Sequence, residues 1–236
     1  MIYVNASIGA GKSSLVKILS EDLGTPAFFE EVEGNEMLKK FYATGPESRE
    51  ALAFPLQISF LVGRFEQLRR GIQLAQELGV KNTVYDSSLL SDSIMARNLH
   101  KRGEFPDAEY HLYMRTVQQM VSSISANASA PIPDVVIYLK ISPEKEIEQI
   151  ATRGRDIEVL DEDRINYFKD VNGIYHNWAE SYSQSRMITI DMDEVDFVNN
   201  PSDRIDVLNH IEDVLQQEGL LSEKDREEIL KRRGDK

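Results

Sequence analysis

A four-residue apolar run, Ile2 to Asn5, leads directly into ASIGAGKSS, and an amphipathic helical pattern follows. The apolar positions Leu15, Ile18, Leu19 and Leu23 recur at spacings of three and four, and Gly24 then stops the pattern. Strand, small-residue loop and helix in that order form the frame of the phosphate-cradling motif G-x-x-x-x-G-K-[ST]. Gly11, Lys12 and Ser13 stand where the motif needs them, while Ala6 takes the place of its first glycine. Such a loop works because small residues let backbone N–H groups turn inward on an anion at a helix N-terminus. An alanine at the first position is compatible with this if its φ is negative. The residues expected to line the phosphates are Ser7, Ile8, Gly9, Ala10, Gly11, Lys12, Ser13 and Ser14. Lys12 would reach the β- and γ-phosphates, and the Ser13 hydroxyl would ligate Mg²⁺.

The rest of the chain repeats the alternation. Residues 25–31, 82–86, 134–141 and 187–190 read as further strands, with DVVIYLKI the clearest because of its β-branched run. Between and after them, residues 47–78, 88–101, 106–127, 161–183, 201–216 and 222–232 read as helices, and SPEKEIEQIATRGRD begins as one. Residues 127–133 read as a loop. Alternating strands and helices behind a phosphate-loop frame predict an α/β P-loop fold whose central parallel sheet of about five strands carries helices on both faces. With 236 residues and no low-complexity linker, one domain over 1–236 is expected, with a lid at about 150–160 and a helical tail at about 217–236. The tail reads as amphipathic or solvated.

Charge and composition narrow the partners. A net charge of −13 argues against polymeric nucleic acid, although a local positive site still binds a small anion. The chain has no cysteine, which excludes disulfides, cysteine-rich metal sites and thiol nucleophiles. No apolar run approaches a membrane span and the N-terminus lacks an apolar signal region, so a cytoplasmic protein without a membrane partner is expected. The four histidines show no metal spacing.

Ligands of such sheets bind at the carboxyl ends of the strands. Three features are predicted to fall there. Asp86 closes the strand at 82–86, where an acid helps to hold Mg²⁺. Glu30 and Glu31 close the strand at 25–31, where a carboxylate serves as general base toward a hydroxyl. Arg153 and Arg155 flank Gly154 after the fourth strand, a turn suited to a lid that closes over a transferring phosphoryl group.

Taken in order, the P-loop, the acid after the second strand, FPLQISFLVGRF, the acid and serine after the third strand, PDVVIYLKIS and TRGRDIE resemble the deoxynucleoside kinase family from Ile2 to about residue 215. The resemblance implies the kinase form of the P-loop fold, a P-loop kinase fold in which Glu30 takes the proton from the sugar 5′-hydroxyl and Tyr42 and Glu158 contact the 3′-hydroxyl. It implies that Gln57 pairs with the base edge and that Arg64 and Asp92 form a pair beside the base, an arrangement that goes with purine or cytosine substrates rather than thymidine. DEVDF, at 193–197, resembles the loop that touches the donor's base. Four positions depart from the family pattern: Glu31 replaces a proline, Ser87 and Gln149 replace arginines, and Met95 replaces an aromatic residue.

The expected activity is therefore ATP-dependent phosphorylation of a deoxynucleoside 5′-hydroxyl, with ATP and Mg²⁺ as cofactors and a homodimer as the family's common assembly. The helices at 47–78 and 106–127 are the candidate dimer surfaces. Two alternatives stand beside it: a deoxynucleoside monophosphate kinase on the same frame, and a nucleotide-binding regulator without catalysis.

Overall fold

The computed structural model describes residues 1–30, 34–43, 46–125, 132–154 and 160–234. Five strands, β1 (Ile2–Asn5), β2 (Ala27–Phe28), β3 (Val84–Asp86), β4 (Val135–Lys140) and β5 (Arg186–Asp191), form one sheet in the order β2-β3-β1-β4-β5. Every pairing is parallel. Around it lie α1 (Lys12–Leu23), α2 (Glu36–Ala43), α3 (Pro46–Leu78), α4 (Leu89–Lys101), α5 (Asp107–Ser125), α6 (Pro143–Arg153), α7 (Glu162–Ser181), α8 (Pro201–Gln217) and α9 (Glu223–Gly234).

Strand residues alternate between the sheet's faces, and here the two faces differ in chemistry. Ile2, Val4, Val84, Val135, Ile137 and Leu139 enter an aliphatic core with Leu15 and Leu19 of α1, Leu208, Ile211 and Leu215 of α8, and Ile229 of α9. Tyr3, Tyr85 and Tyr138 face the other way, into a core shared with α3, α4, α5 and α7. Tyr85 stacks on Phe28 with centroids 4.7 Å apart and meets Tyr3 edge-on. Gly71 lets α3 cross this aromatic layer, because a Cβ there would sit 2.1 Å from the Tyr85 hydroxyl.

Two elements differ from the sequence reading. The second strand shrinks to Ala27–Phe28, half-buried at the sheet's edge, because Phe29 turns out to solvent. Residues 36–43, not read as helical, form α2, whose N-terminal amides at Met37 and Leu38 are capped by the Asn35 side chain. No helix among the described residues is long and apolar enough to cross a membrane.

Candidate active site

The loop after β1 has the backbone an anion site requires. Positive φ falls on Gly9 (85°) and Gly11 (90°), not on Ala6, which is 1% exposed, so the missing first glycine imposes no strain. Gly11 caps α1 in the left-handed conformation, and among the described residues no side chain accepts from the helix's first amides. Those donors therefore remain available to an anion. The Lys12 ammonium folds back over the loop, donating to the carbonyls of Ala6 (3.3 Å) and Ser7 (3.2 Å). A phosphate would exchange these neutral acceptors for charged ones.

Ser13, the second residue of α1, donates its hydroxyl to Asp86 Oδ2 at the end of β3. Asp86 is 4% exposed, and its Oδ1 is buried without a hydrogen-bond partner among the described residues. A buried, half-satisfied carboxylate beside a hydroxyl is a donor set that fits a hard divalent cation.

From Asp86 the site continues through Arg64. Its Nη1 donates to the Asp86 carbonyl (3.1 Å), its Nε to Asp92 (2.7 Å) and its Nη2 to Glu30 (2.5 Å). One guanidinium thus ties the segment after β2 to β3, α3 and α4. Burial works against the charge on Arg64, but Asp92, Glu30 and Asp86 outweigh it and hold the guanidinium well above its usual pKa. Asp92 is pushed the other way: burial raises its carboxyl to about 6, against the opposing pull of Arg64. Gln57 lies two turns before Arg64 on the same buried face of α3. Glu30, Gly63, Arg64 and Gln67 line a cavity of about 600 Å³ together with Asn35 and with Glu36 and Met37 of α2.

After Asp86 the chain turns sharply. Ser87 is 5% exposed and adopts φ 77°, while its N–H extends the ladder to the Val4 carbonyl at 3.0 Å. A left-handed conformation at a non-glycine residue costs about 1–3 kcal/mol. Ser88 then caps α4 in a reciprocal box with Ser91, whose hydroxyl donates to Asn5 Oδ1 (2.8 Å).

Among the predicted residues, Ser13, Asp86, Arg64, Glu30 and Asp92 form one connected chain of contacts. Arg153 is the exposed last residue of α6, with Gly154 left-handed behind it. Arg155 and Glu158 lie outside the described residues, as do Glu31 and the Tyr42 side chain; the Tyr42 backbone lies in α2. Of the DEVDF stretch, Asp193 accepts from the Ser142 hydroxyl (2.9 Å), and buried Phe197 would meet a Cβ on Gly11 at 3.5 Å.

Sequence reasoning missed Glu146. It is 1% exposed on α6 and accepts hydrogen bonds from the Ser7 hydroxyl (2.9 Å) and the Asn172 amide (2.5 Å). Its one signal is an acid four residues before Ile150, on the stripe a helix turns inward.

Comparison with known proteins bears directly on this geometry. Residues 2–216 match the family described as deoxynucleoside kinase. The chain is 33% identical to a deoxyguanosine kinase of Lactobacillus johnsonii over 221 residues, 93% of this chain and 94% of that protein. It is 31% identical to a deoxyadenosine kinase of Lactobacillus acidophilus, over 94% of this chain and 99% of that one. A solved deoxyadenosine kinase from M. mycoides with bound dCTP superposes with a TM-score of 0.70 at 24% identity, covering 89% of this chain and 98% of that one, and shows the same fold. The chain belongs to the deoxynucleoside kinase family, and it is a phosphotransferase acting on a nucleoside hydroxyl.

Proposed function

We propose that this deoxynucleoside kinase transfers the γ-phosphoryl group of ATP to the 5′-hydroxyl of a purine deoxynucleoside or deoxycytidine, in preference to thymidine. The observation that carries the reading is the continuous contact chain from Ser13 through Asp86 and Arg64 to Glu30 and Asp92. It joins the start of α1, behind the phosphate loop, to a carboxylate that lines the neighbouring cavity. Glu30 accepts the 5′-hydroxyl proton as the new O5′–Pγ bond forms and the bond to the bridging β,γ-oxygen breaks. Lys12, Arg153 and Arg155 offset charge on the moving phosphoryl group, and the loop amides of residues 7–14 hold the donor. Asp86 and Ser13 would hold Mg²⁺, a role supported by the unpartnered Asp86 Oδ1; when bound, the ion neutralises β- and γ-phosphate charge. Arg64, Asp92 and Gln57 read the base, and Tyr42 and Glu158 hold the 3′-hydroxyl.

One domain over 1–236, a cytoplasmic location and a homodimer belong to the same reading. Val62 on α3 and Leu112 on α5 leave apolar surface exposed on the two helices expected to pair, which supports the dimer. Sedimentation measures it directly.

The test is a turnover panel of the four deoxynucleosides with ATP and Mg²⁺, run beside the corresponding monophosphates. Phosphorylation of deoxyadenosine, deoxyguanosine or deoxycytidine is expected, with thymidine slowest. A preference for thymidine would overturn the role given to Arg64 and Asp92. Turnover of monophosphates alone would overturn the acceptor.

A further inference from the structure

The carboxyl of Glu146 takes no part in the chemistry above, yet it is buried directly behind the phosphate loop. Its Oε2 accepts from two sides, the Ser7 hydroxyl of the loop and the Asn172 amide of α7. Asn172 also donates to the Ile141 carbonyl (3.0 Å), in the segment joining β4 to α6. One helical turn beyond Glu146, Ile150 lies 2.8 Å from where a Cβ on Gly9 would fall. The helix that carries Arg153 at its end thus touches the loop twice, through a polar contact at Ser7 and an apolar one at Gly9.

A buried acid is costly where an apolar side chain of similar size would pack. The other inward positions of α6, Ile147 and Ile150, are apolar. The acid stands only where the loop offers a hydroxyl and α7 offers an amide. Around it lie the Lys12 charge from the loop and the Tyr138 hydroxyl from β4. Burial pushes the carboxyl up to about 7, against the opposing effects of Asn172, Ser7 and Lys12. Its second oxygen, Oε1, is buried without a hydrogen-bond partner among the described residues, a place where a proton can reside while Oε2 keeps both contacts.

We infer that Glu146 is a positioning residue for donor binding: it ties the arginine-bearing helix α6 to the phosphate loop through Ser7, so that loop and helix hold one register. The inference rests on the reading of this loop as the donor site. Glutamine at this position retains an oxygen for Ser7 and Asn172 and so mimics the protonated acid; alanine releases both.

Steady-state kinetics on Glu146→Ala, Glu146→Gln, Ser7→Ala and the Ser7→Ala/Glu146→Ala double variant test it, with KM measured separately for ATP and for the preferred nucleoside. Glu146→Ala is expected to raise the ATP KM at least tenfold with the nucleoside KM within twofold, and Glu146→Gln to stay within threefold of wild type. Ser7→Ala should shift the ATP KM in the same direction, and the double variant should be no worse than the worse single one, because both act through one contact. If Glu146→Ala does not fold, Ser7→Ala carries the test, since it removes the same contact from the loop side. A folded Glu146→Ala with wild-type ATP KM, equal rises in both KM values, or additive effects in the double variant would overturn the inference. Absence of ATP turnover in the wild-type chain overturns the donor-site reading instead.

Discussion

Two networks of buried charge sit at opposite ends of α1, and they are built differently. At its N-terminus Ser13 meets the Asp86 carboxylate, and beyond it the carboxylates of Glu30 and Asp92 and the backbone carbonyl of Asp86 gather around the single guanidinium of Arg64. At its C-terminus Asp22 pairs with Arg233 (2.7 Å), which also binds buried Glu212; Arg226 pairs with Glu212 (3.3 Å) and Asp213 (2.6 Å). The second network is nearer to balance and surrounds a helix, α9, that adds Ile229 to the aliphatic core. The first carries surplus negative charge and an unpartnered carboxylate oxygen at the carboxyl edge of the sheet. Surplus charge beside a cleft implies that something from outside completes it; balanced charge between helices holds the fold.

The comparison breaks first at Glu30. Glu30→Gln keeps size and an acceptor for Arg64 but removes the proposed base, so turnover should fall by about 10²–10⁴-fold with stability nearly unchanged. Product formation followed by chromatography, beside chemical unfolding, separates the two. Wild-type turnover would remove Glu30 from the mechanism. Arg64→Met should come next, losing turnover and about 3–5 kcal/mol of stability together, because buried Asp92 and partly buried Glu30 are left without their cation. A denaturant midpoint unchanged from wild type would show that the triad is not held as described.

At the other end of α1, Arg233→Ala should cost about 1–3 kcal/mol and leave turnover within twofold, since Arg233 remains 18% exposed and its acids reach no ligand. A loss of activity larger than the loss of folded protein would join the two networks and remove the distinction drawn between them.

The difference between the regions also explains what the sequence made legible. The donor side is local: a strand, a loop with glycines at its positive-φ positions and a helix start lie within residues 2–23, so spacing alone revealed it. The acceptor side is assembled from β2, α3, β3 and α4, and Glu30, Arg64 and Asp92 became a group only through the order of motifs along the chain. Glu146 escaped because its one signal in SPEKEIEQI, a place four residues before Ile150, is slight among several acids, and the packing of α6 on Gly9 decides it. The α2 helix escaped because it is short and its cap, Asn35, is a residue equally common in turns. The clasp on α9 was hidden for a related reason: its arginines pair with Asp22 and Glu212, 211 and 21 residues away from Arg233.

Protonation gives the smallest and most discriminating contrast. The Asp92 carboxyl, raised to about 6 by burial, keeps its proton in the folded chain at pH values where the unfolded chain has lost it. Its contribution to stability is therefore fully present below the unfolded value of 3.8 and is lost as pH rises through about 6. Activity runs the opposite way, because a protonated Asp92 no longer offers Arg64 a full charge beside the base. The nucleoside kcat/KM should fall toward tenfold per pH unit below about 6, while Asp92→Asn, already uncharged there, shows no such limb. Glu212 is also raised, by burial and the neighbouring Asp22 against the pull of Arg233, so acid should affect stability from both ends of α1. It should affect the rate from one end only: Glu212→Gln should keep the acid limb of kcat/KM that Asp92→Asn loses. If the limb survived unchanged in Asp92→Asn, Asp92 would not be the group that sets it, and the role given to its charge beside Arg64 would fall.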